Sequence, residues 1–315
     1  MSRLTVNDIN FKNKKTLIRV DFNVPVDNGK ITNDFRIVSS LPTIKKILND
    51  GGSVICMSHL GRPKGEVKLD FSLKPVQERL SELLKLDVKF ATDCIGEDTE
   101  KIANELKNGE VLLLENLRFH KEEKKNEPAF AKKLAQLANA YVNDAFGTAH
   151  RAHASNIGVA KHFDKVISGL LLEKELTYLK DKIENPKRPY TAILGGAKIS
   201  GKIDTINHLF DNVDNLIVGG GMVFTFFKAM GYEIGNSLVE EDKIEVAKSV
   251  IEKAKNSNVN FYLPTDVVVA DEFKNDTNYK TVSVENIPKE KIGLDIGSES
   301  IQKFSEVIYS SKTIL

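Results

Sequence analysis

Asp21, Asn23 and Arg36 have the types and spacing to hold a small ligand. They lie in TLIRVDFNVPVDNGKITNDFR, residues 16–36. Thr16 to Val20 reads as a short strand, apolar β-formers flanking Arg19. Pro25 offers no N–H to a sheet ladder, so the strand must leave its sheet at about Asn23. That puts Asp21 and Asn23 at the carboxyl end of a strand, where open α/β sheets bind ligands. A turn at Asp27-Asn28-Gly29 brings the chain back, and Arg36 opens an apolar-periodic run from Ile37 to Leu48. An acid, an amide and an arginine at a sheet edge suit a small, anionic, hydroxylated ligand. They equally suit a solvated loop whose Asp21 and Asn23 merely cap turns.

The same pattern recurs down the first half. A helix ending at Asn49-Asp-Gly-Gly52 leads into a strand, Ser53 to Ser58, followed at once by His59-Leu60-Gly61-Arg62-Pro63-Lys64-Gly65. The glycines permit close backbone approach; the basic side chains supply donors for phosphate or carboxylate. After an amphipathic helix (Leu73 to Leu86), a short strand (Lys89 to Asp93) and a further helix (Glu97 to Leu106), Val111 to Asn116 reads as a buried parallel strand ending in Asn116-Leu-Arg118-Phe-His120. The charged stretch Lys121 to Glu127 reads as a solvated loop, and Pro128 opens a helix to about Asn139. The strand Ala140 to Asp144 then precedes Phe146-Gly-Thr-Ala-His150-Arg151-Ala-His153. Arg36, Arg62, Arg118 and Arg151 thus follow strand ends at equivalent places in βα units. Rigid, always charged and bidentate, they suit a ligand carrying both phosphate and carboxylate. His59, His150 and His153 are further donors, and no histidine has metal-like spacing.

Gly169 to Glu184 reads as a leucine-rich helix closed by Asn185-Pro-Lys-Arg-Pro189, either an interdomain connector or a core helix. The alternation then restarts. Strand Tyr190 to Leu194 is followed by Gly195-Gly196-Ala-Lys198-Ile-Ser-Gly201-Lys202 and a helix, Ile203 to Phe210. A glycine-rich strand-to-helix turn presents backbone N–H groups to phosphate, and Lys198 and Lys202 can reach the same anion. It is not a Walker A loop, because Ile203 follows Lys202. Strand Val213 to Val218 ends in Gly219-Gly220-Gly221-Met222 before a helix to about Met230; Met222 and the nearby phenylalanines are more often core than ligand contacts. Asn260 to Leu263 reads as a strand closed by Pro264-Thr-Asp266, Lys280 to Val284 as an edge strand, Gly293 to Gly297 as the lead into a last helix, and Lys312 to Leu315 as the start of a strand.

Composition sets bounds. The 315 residues are 41% hydrophobic and 28% charged with net charge +1, which suits two globular cores and offers no global field for nucleic acid or membrane. The first residues lack a signal-peptide core, and no apolar run approaches the ~20 residues a membrane helix needs. Cys56 and Cys94 have no CxxC spacing and are expected as reduced thiols of a cytoplasmic protein.

Together, RVDFNVP (19–25), SHLGRPKG (58–65), LLLENLRFH (112–120), NDAFGTAHRAHAS (143–155), ILGGAKISGKI (193–203), IVGGGMVFTF (217–226) and LPTD (263–266) closely resemble the phosphoglycerate kinase family, in the family's order and over the whole chain. The resemblance implies an α/β protein of two Rossmann-like, three-layer domains with parallel sheets across a hinged cleft. Residues 1–168 would bind 3-phosphoglycerate, 169–186 would form the interdomain helix and hinge, and 187–315 would bind nucleotide. It implies reversible phosphoryl transfer in glycolysis between 1,3-bisphosphoglycerate and Mg-ADP, by a cytoplasmic monomer acting on small molecules, with Mg2+ arriving with ATP or ADP. By the same resemblance, Asp21, Asn23, Arg36, His59, Leu60, Gly61, Arg62, Arg118 and Arg151 hold 3-phosphoglycerate. Gly195, Gly196, Lys198, Lys202, Gly220, Gly221, Leu238 and Gly293 hold nucleotide, and Arg36 and Lys198 stabilise the transferring group.

Two departures stand out. Gly201 occupies a place where many relatives carry Asp. The family also continues by roughly a quarter of its length past this point, within the size of a small domain, with a Gly-Pro loop, a nucleotide-binding Glu and a Gly-Gly-Asp turn that binds magnesium. The chain is therefore expected to have no metal ligand of its own and an incomplete second domain, with an exposed strand edge. The competing reading is a remnant that binds 3-phosphoglycerate and transfers poorly. A Rossmann dehydrogenase is disfavoured, since no GxGxxG is followed by an acid about 20 residues on.

Overall fold

The computed structural model describes residues 3–315, in two compact units, the first through Asp181 and the second from Lys182 to Leu315. In the first, six parallel strands form one sheet: β1 (Lys15–Arg19), β2 (Ser53–Met57), β3 (Val88–Ala91), β4 (Val111–Leu114), β5 (Ala140–Asn143) and β6 (Val166–Ser168), in the order β3-β4-β2-β1-β5-β6. Consecutive side chains point to opposite faces, and both faces are covered. Ile18, Cys56, Leu113 and Val142 pack with Ile37, Ile44 and Leu80 from α1 (Phe35–Asn49) and α2 (Lys74–Leu84). Leu17, Ile55, Leu112 and Tyr141 pack on the other face with Ala103 of α3 (Glu97–Asn104) and Phe130 and Leu134 of α5 (Pro128–Gln136). A sheet buried on both faces needs the near-continuous apolar strands seen in VLLL and SVICM.

In the second unit, β7 (Tyr190–Leu194), β8 (Asn215–Val218), β9 (Asn260–Tyr262) and β13 (Thr313–Ile314) form a parallel sheet in the order β9-β8-β7-β13. A separate antiparallel sheet has β10 (Asp266–Ala270) between β11 (Tyr279–Ser283) and β12 (Ile292–Ile296). One core joins Ile206 of α7 (Ile203–Leu209), Phe226 and Phe227 of α8 (Val223–Ala229), Ala247 of α9 (Ile244–Lys255), and Val267 and Val269 of β10.

Several sequence expectations are corrected. Val166–Ser168 is a sixth strand, too short to show a period. Asp266–Ala270 continues as a strand after Pro264, and Ile292–Ile296 is its partner. The supposed loop after His120 holds a one-turn helix, α4 (Lys121–Lys125), with Glu123 fully buried. The helix expected over 169–184 is α6 (Leu170–Leu176) followed by a π-helical stretch, Thr177–Asp181, and a short α-helical end, Lys182–Glu184.

Candidate active site

The segments leaving β1, β2, β4 and β5 meet over the carboxyl edge of the first sheet. They enclose a cavity of about 240 Å³ lined by Asp21, Asn23, Arg36, His59, Gly61, Arg62, Arg118, Gly147, Thr148 and Arg151. Every residue the sequence assigned to the anionic ligand lines it except Leu60, whose side chain is buried in the core and whose carbonyl accepts from Asn116 Nδ2 at 2.7 Å. Gly147 and Thr148 were overlooked; both lie in the short helix between β5 and Arg151.

Local chemistry fixes the walls. The Val26–Asp27 and Lys30–Ile31 hairpin turns on Asn28 and Gly29, both at positive φ, as its two-residue loop demands. It returns the chain so that Arg36, in the first turn of α1, pairs with Asp21. Asn23 Oδ1 accepts the Gly61 N–H at 2.9 Å, and Arg118 Nη1 donates to the Gly61 carbonyl at 2.7 Å. Gly61 has φ +60°, and an added Cβ would overlap the ring of Phe71, so glycine is required here. Arg118 Nε is buried with no protein partner. Burial, then the charges of Arg151 and Arg19, push the Arg118 pKa down. Mutually repelling guanidiniums and an orphaned donor are what an incoming anion relieves.

Behind this wall lies a buried network that the sequence reading did not reveal. Arg19, 1% exposed, donates from Nε to Ser155 Oγ at 2.9 Å and faces His59 Nδ1 with Nη2 at 3.0 Å. Glu123, 0% exposed, accepts from Ser155 N–H at 2.9 Å and Ser155 Oγ at 2.6 Å, with His153 Nδ1 at 3.6 Å. Burial alone would push the Glu123 carboxyl up; His153, the Arg19 charge and the Ser155 bonds outweigh it and hold the carboxyl below its usual range. Burial, with the charges of Arg19, Arg118 and Arg151, pushes the His59 pKa down to about 2. His59 is therefore neutral. An arginine only donates, so Nδ1 is the acceptor and Nε2 carries the proton. His150 is exposed, its Nε2 3.2 Å from Arg151 Nε.

In the second unit, two glycine turns pack together. Met222 N–H donates to the Gly196 carbonyl at 2.9 Å. Gly220 has φ +70°, and an added Cβ would stand 2.7 Å from Gly196 N. Gly221 has no side chain where Leu238 Cδ2 approaches to 3.1 Å of a Cβ position, and Leu238 is 47% exposed. Gly293 donates to Ser237 Oγ at 2.9 Å and leaves room for the Phe224 ring. Around Gly195 and Gly201 the space is open, and Lys198 is exposed. Lys202 occupies the N-cap position of α7, its side chain making no capping hydrogen bond. Glu240 Oε2 accepts the Ser200 N–H at 3.0 Å, and Lys198 helps hold that carboxyl below its usual range, after burial (which opposes) and the Ser200 bonds. Asp266 is structural: it accepts from Glu299 and Ser300 N–H at 3.0 and 2.8 Å, capping α10 (Ser298–Ser310). A larger cavity of about 820 Å³, bordered by Tyr262, Thr265, Glu299 and Lys303, was not anticipated from the sequence.

The parallel sheets and the arginine-lined, glycine-rich loops at their strand ends define an α/β enzyme acting on small anionic ligands. The sequence profile of the family described as "Phosphoglycerate kinase" matches residues 6–315. The chain belongs to the phosphoglycerate kinase family. A phosphoglycerate kinase of Chloroherpeton thalassium is 56% identical over 315 residues, covering 100% of this chain and 79% of that protein. The cytosolic phosphoglycerate kinase of Triticum aestivum is 55% identical over 312 residues, covering 99% of this chain and 78% of the relative. The solved phosphoglycerate kinase of Coxiella burnetii superposes with a TM-score of 0.88 at 40% identity, covering 99% of this chain and 79% of that structure. That of Pyrococcus horikoshii gives 0.83 at 28%, with the same coverage. Among the described residues, no helix is long and apolar enough to cross a membrane.

Proposed function

We propose that the chain works as a cytoplasmic monomer that transfers a phosphoryl group reversibly between 1,3-bisphosphoglycerate and Mg-ADP, giving 3-phosphoglycerate and ATP. The observation that carries the substrate half is the cavity wall of Arg36, Arg62, Arg118 and Arg151, with Arg118 Nε orphaned. Here Asp21 orients Arg36, Asn23 fixes the Gly61 backbone, and neutral His59 donates from Nε2. Gly195, Gly196, Lys198 and Lys202 receive the nucleotide phosphates, and Gly220, Gly221, Leu238 and Gly293 the adenine and ribose.

In the direction of ATP synthesis, the bond between phosphorus and the acyl oxygen breaks. A bond from phosphorus to the terminal oxygen of ADP forms, and a carboxylate leaves. No proton moves, so no general base is needed; Arg36 and Lys198 stabilise charge on the transferring group. Mg2+ belongs to the nucleotide substrate. Transfer requires the two ligands to meet, and the run 169–186 is proposed as the hinge.

The test is phosphoryl transfer from Mg-ATP to 3-phosphoglycerate by the 315-residue chain, with Arg36→Ala and Lys198→Ala as variants. Turnover that falls by about 10²- to 10³-fold in each supports the assignment. Binding of 3-phosphoglycerate without any turnover overturns the catalytic reading.

A further inference from the structure

Away from the arginine-lined cavity, the loop after β3 and the turn after β4 bring together Asp93, Cys94 and His120. One ligand atom from each lies within 4.8 Å of the other two. His120 Nε2 stands 2.6 Å from Asp93 Oδ1, and the Cys94 N–H donates to that same oxygen at 2.6 Å. The thiol is fully buried, whereas the Asp93 side chain is 50% exposed. The Phe130 ring lies 5.2 Å from the imidazole.

An ordinary loop-to-loop ion pair would explain Asp93 and His120. Cys94 packs in the apolar core beside that pair, and its thiol adds a sulfur donor to the carboxylate and the imidazole. A carboxylate, an imidazole and a thiol are the mixed O, N and S donors that zinc-like ions take, with bonds of about 2.0–2.3 Å in tetrahedral geometry. Those bonds place ligand atoms roughly 3.3–3.8 Å apart, inside the 4.8 Å span over which the three donors converge. We propose that Asp93, Cys94 and His120 form a binding site for a thiophilic divalent cation of the zinc class, with water as the fourth ligand on the exposed side. The Cys94 N–H already orients the carboxylate, as outer-shell donors do at metal sites, and Phe130 walls the imidazole. Binding releases the Cys94 proton to solvent. Magnesium is a poor occupant, since it takes hard oxygen ligands in octahedral geometry. The site is therefore separate from anything the nucleotide brings.

The experiment titrates the whole chain with Co2+ as a spectroscopic probe and with Zn2+ against a chromophoric chelator, Mg2+ in excess. One equivalent should bind with a thiolate-to-cobalt charge-transfer band. Cys94→Ser should abolish that band. His120→Gln, at a partly exposed side chain, should weaken zinc by at least about tenfold. Absence of the thiolate band in the wild-type protein, unchanged zinc affinity in His120→Gln, or displacement by Mg2+ would each overturn the site.

Discussion

Glu123 and Arg19 set the electrostatics of the cavity without lining it. Both are buried, and Ser155 bridges them. Glu123→Gln keeps the shape and removes the charge that faces Arg19, so urea unfolding should show a loss of about 3 kcal/mol. A loss within the surface range, about 0.5 kcal/mol, would mean that solvent already screens Arg19. Arg118→Lys keeps the charge but loses the planar fork that grips Gly61 and leaves Nε for a ligand. Binding of 3-phosphoglycerate, measured calorimetrically, should weaken by about tenfold or more, which is the cost of one charge-assisted hydrogen bond; unchanged affinity would remove Arg118 from the site. The arginines were legible in the sequence because each follows a strand end. Glu123 was not, because within HKEEKKNEP nothing marks one acid among charged neighbours as the one that turns inward. Its burial depends on Ser155, 32 residues away.

At the level of elements, the two glycine turns of the second unit form a single construction. Gly220→Ala puts a Cβ against the Gly196 backbone at a left-handed φ. It should lower stability by about 1–3 kcal/mol and weaken Mg-ATP binding while leaving 3-phosphoglycerate binding intact; equal loss of both would show a global defect instead. The parallel strands were readable from apolar runs punctuated by glycine. The antiparallel trio was only half readable. Pro264 and Asp266 look like the close of a strand, and what makes Asp266 start another is its capping of α10, a partnership 34 residues distant. Tertiary capping of this kind leaves no local period.

For the whole molecule, two buried groups oppose each other in acid. His59 is held neutral down to about pH 2, while its unfolded counterpart takes a proton near 6.5, so stability falls as pH drops below 6.5. Asp144 runs the other way. Burial raises it to about 6 from 3.8, so the folded state holds the extra proton and gains stability as pH falls through 6 toward 3.8. Its Oδ1 accepts the Leu171 and Leu172 N–H groups, which Asn can also bond. Asp144→Asn should therefore gain on the wild type by up to about 3 kcal/mol between pH 4 and pH 8. Chemical denaturation at both pH values checks this, and a pH-independent difference would place Asp144 in contact with water.

The strand order also bears on how the chain is made. β1 emerges first, yet its two flanks are β2 and β5, and β5 is complete only at Asn143. At roughly 5–20 residues per second of synthesis, one side of that apolar strand stays unpaired for on the order of ten seconds while the ribosome works. Nascent chains arrested before Asn143 should be cut readily by protease, and those whose Ser168 has cleared the exit tunnel should resist. During translation, then, the β3-β4-β2 side of this sheet is made first, and its central strand waits for a neighbour that has not yet been synthesised.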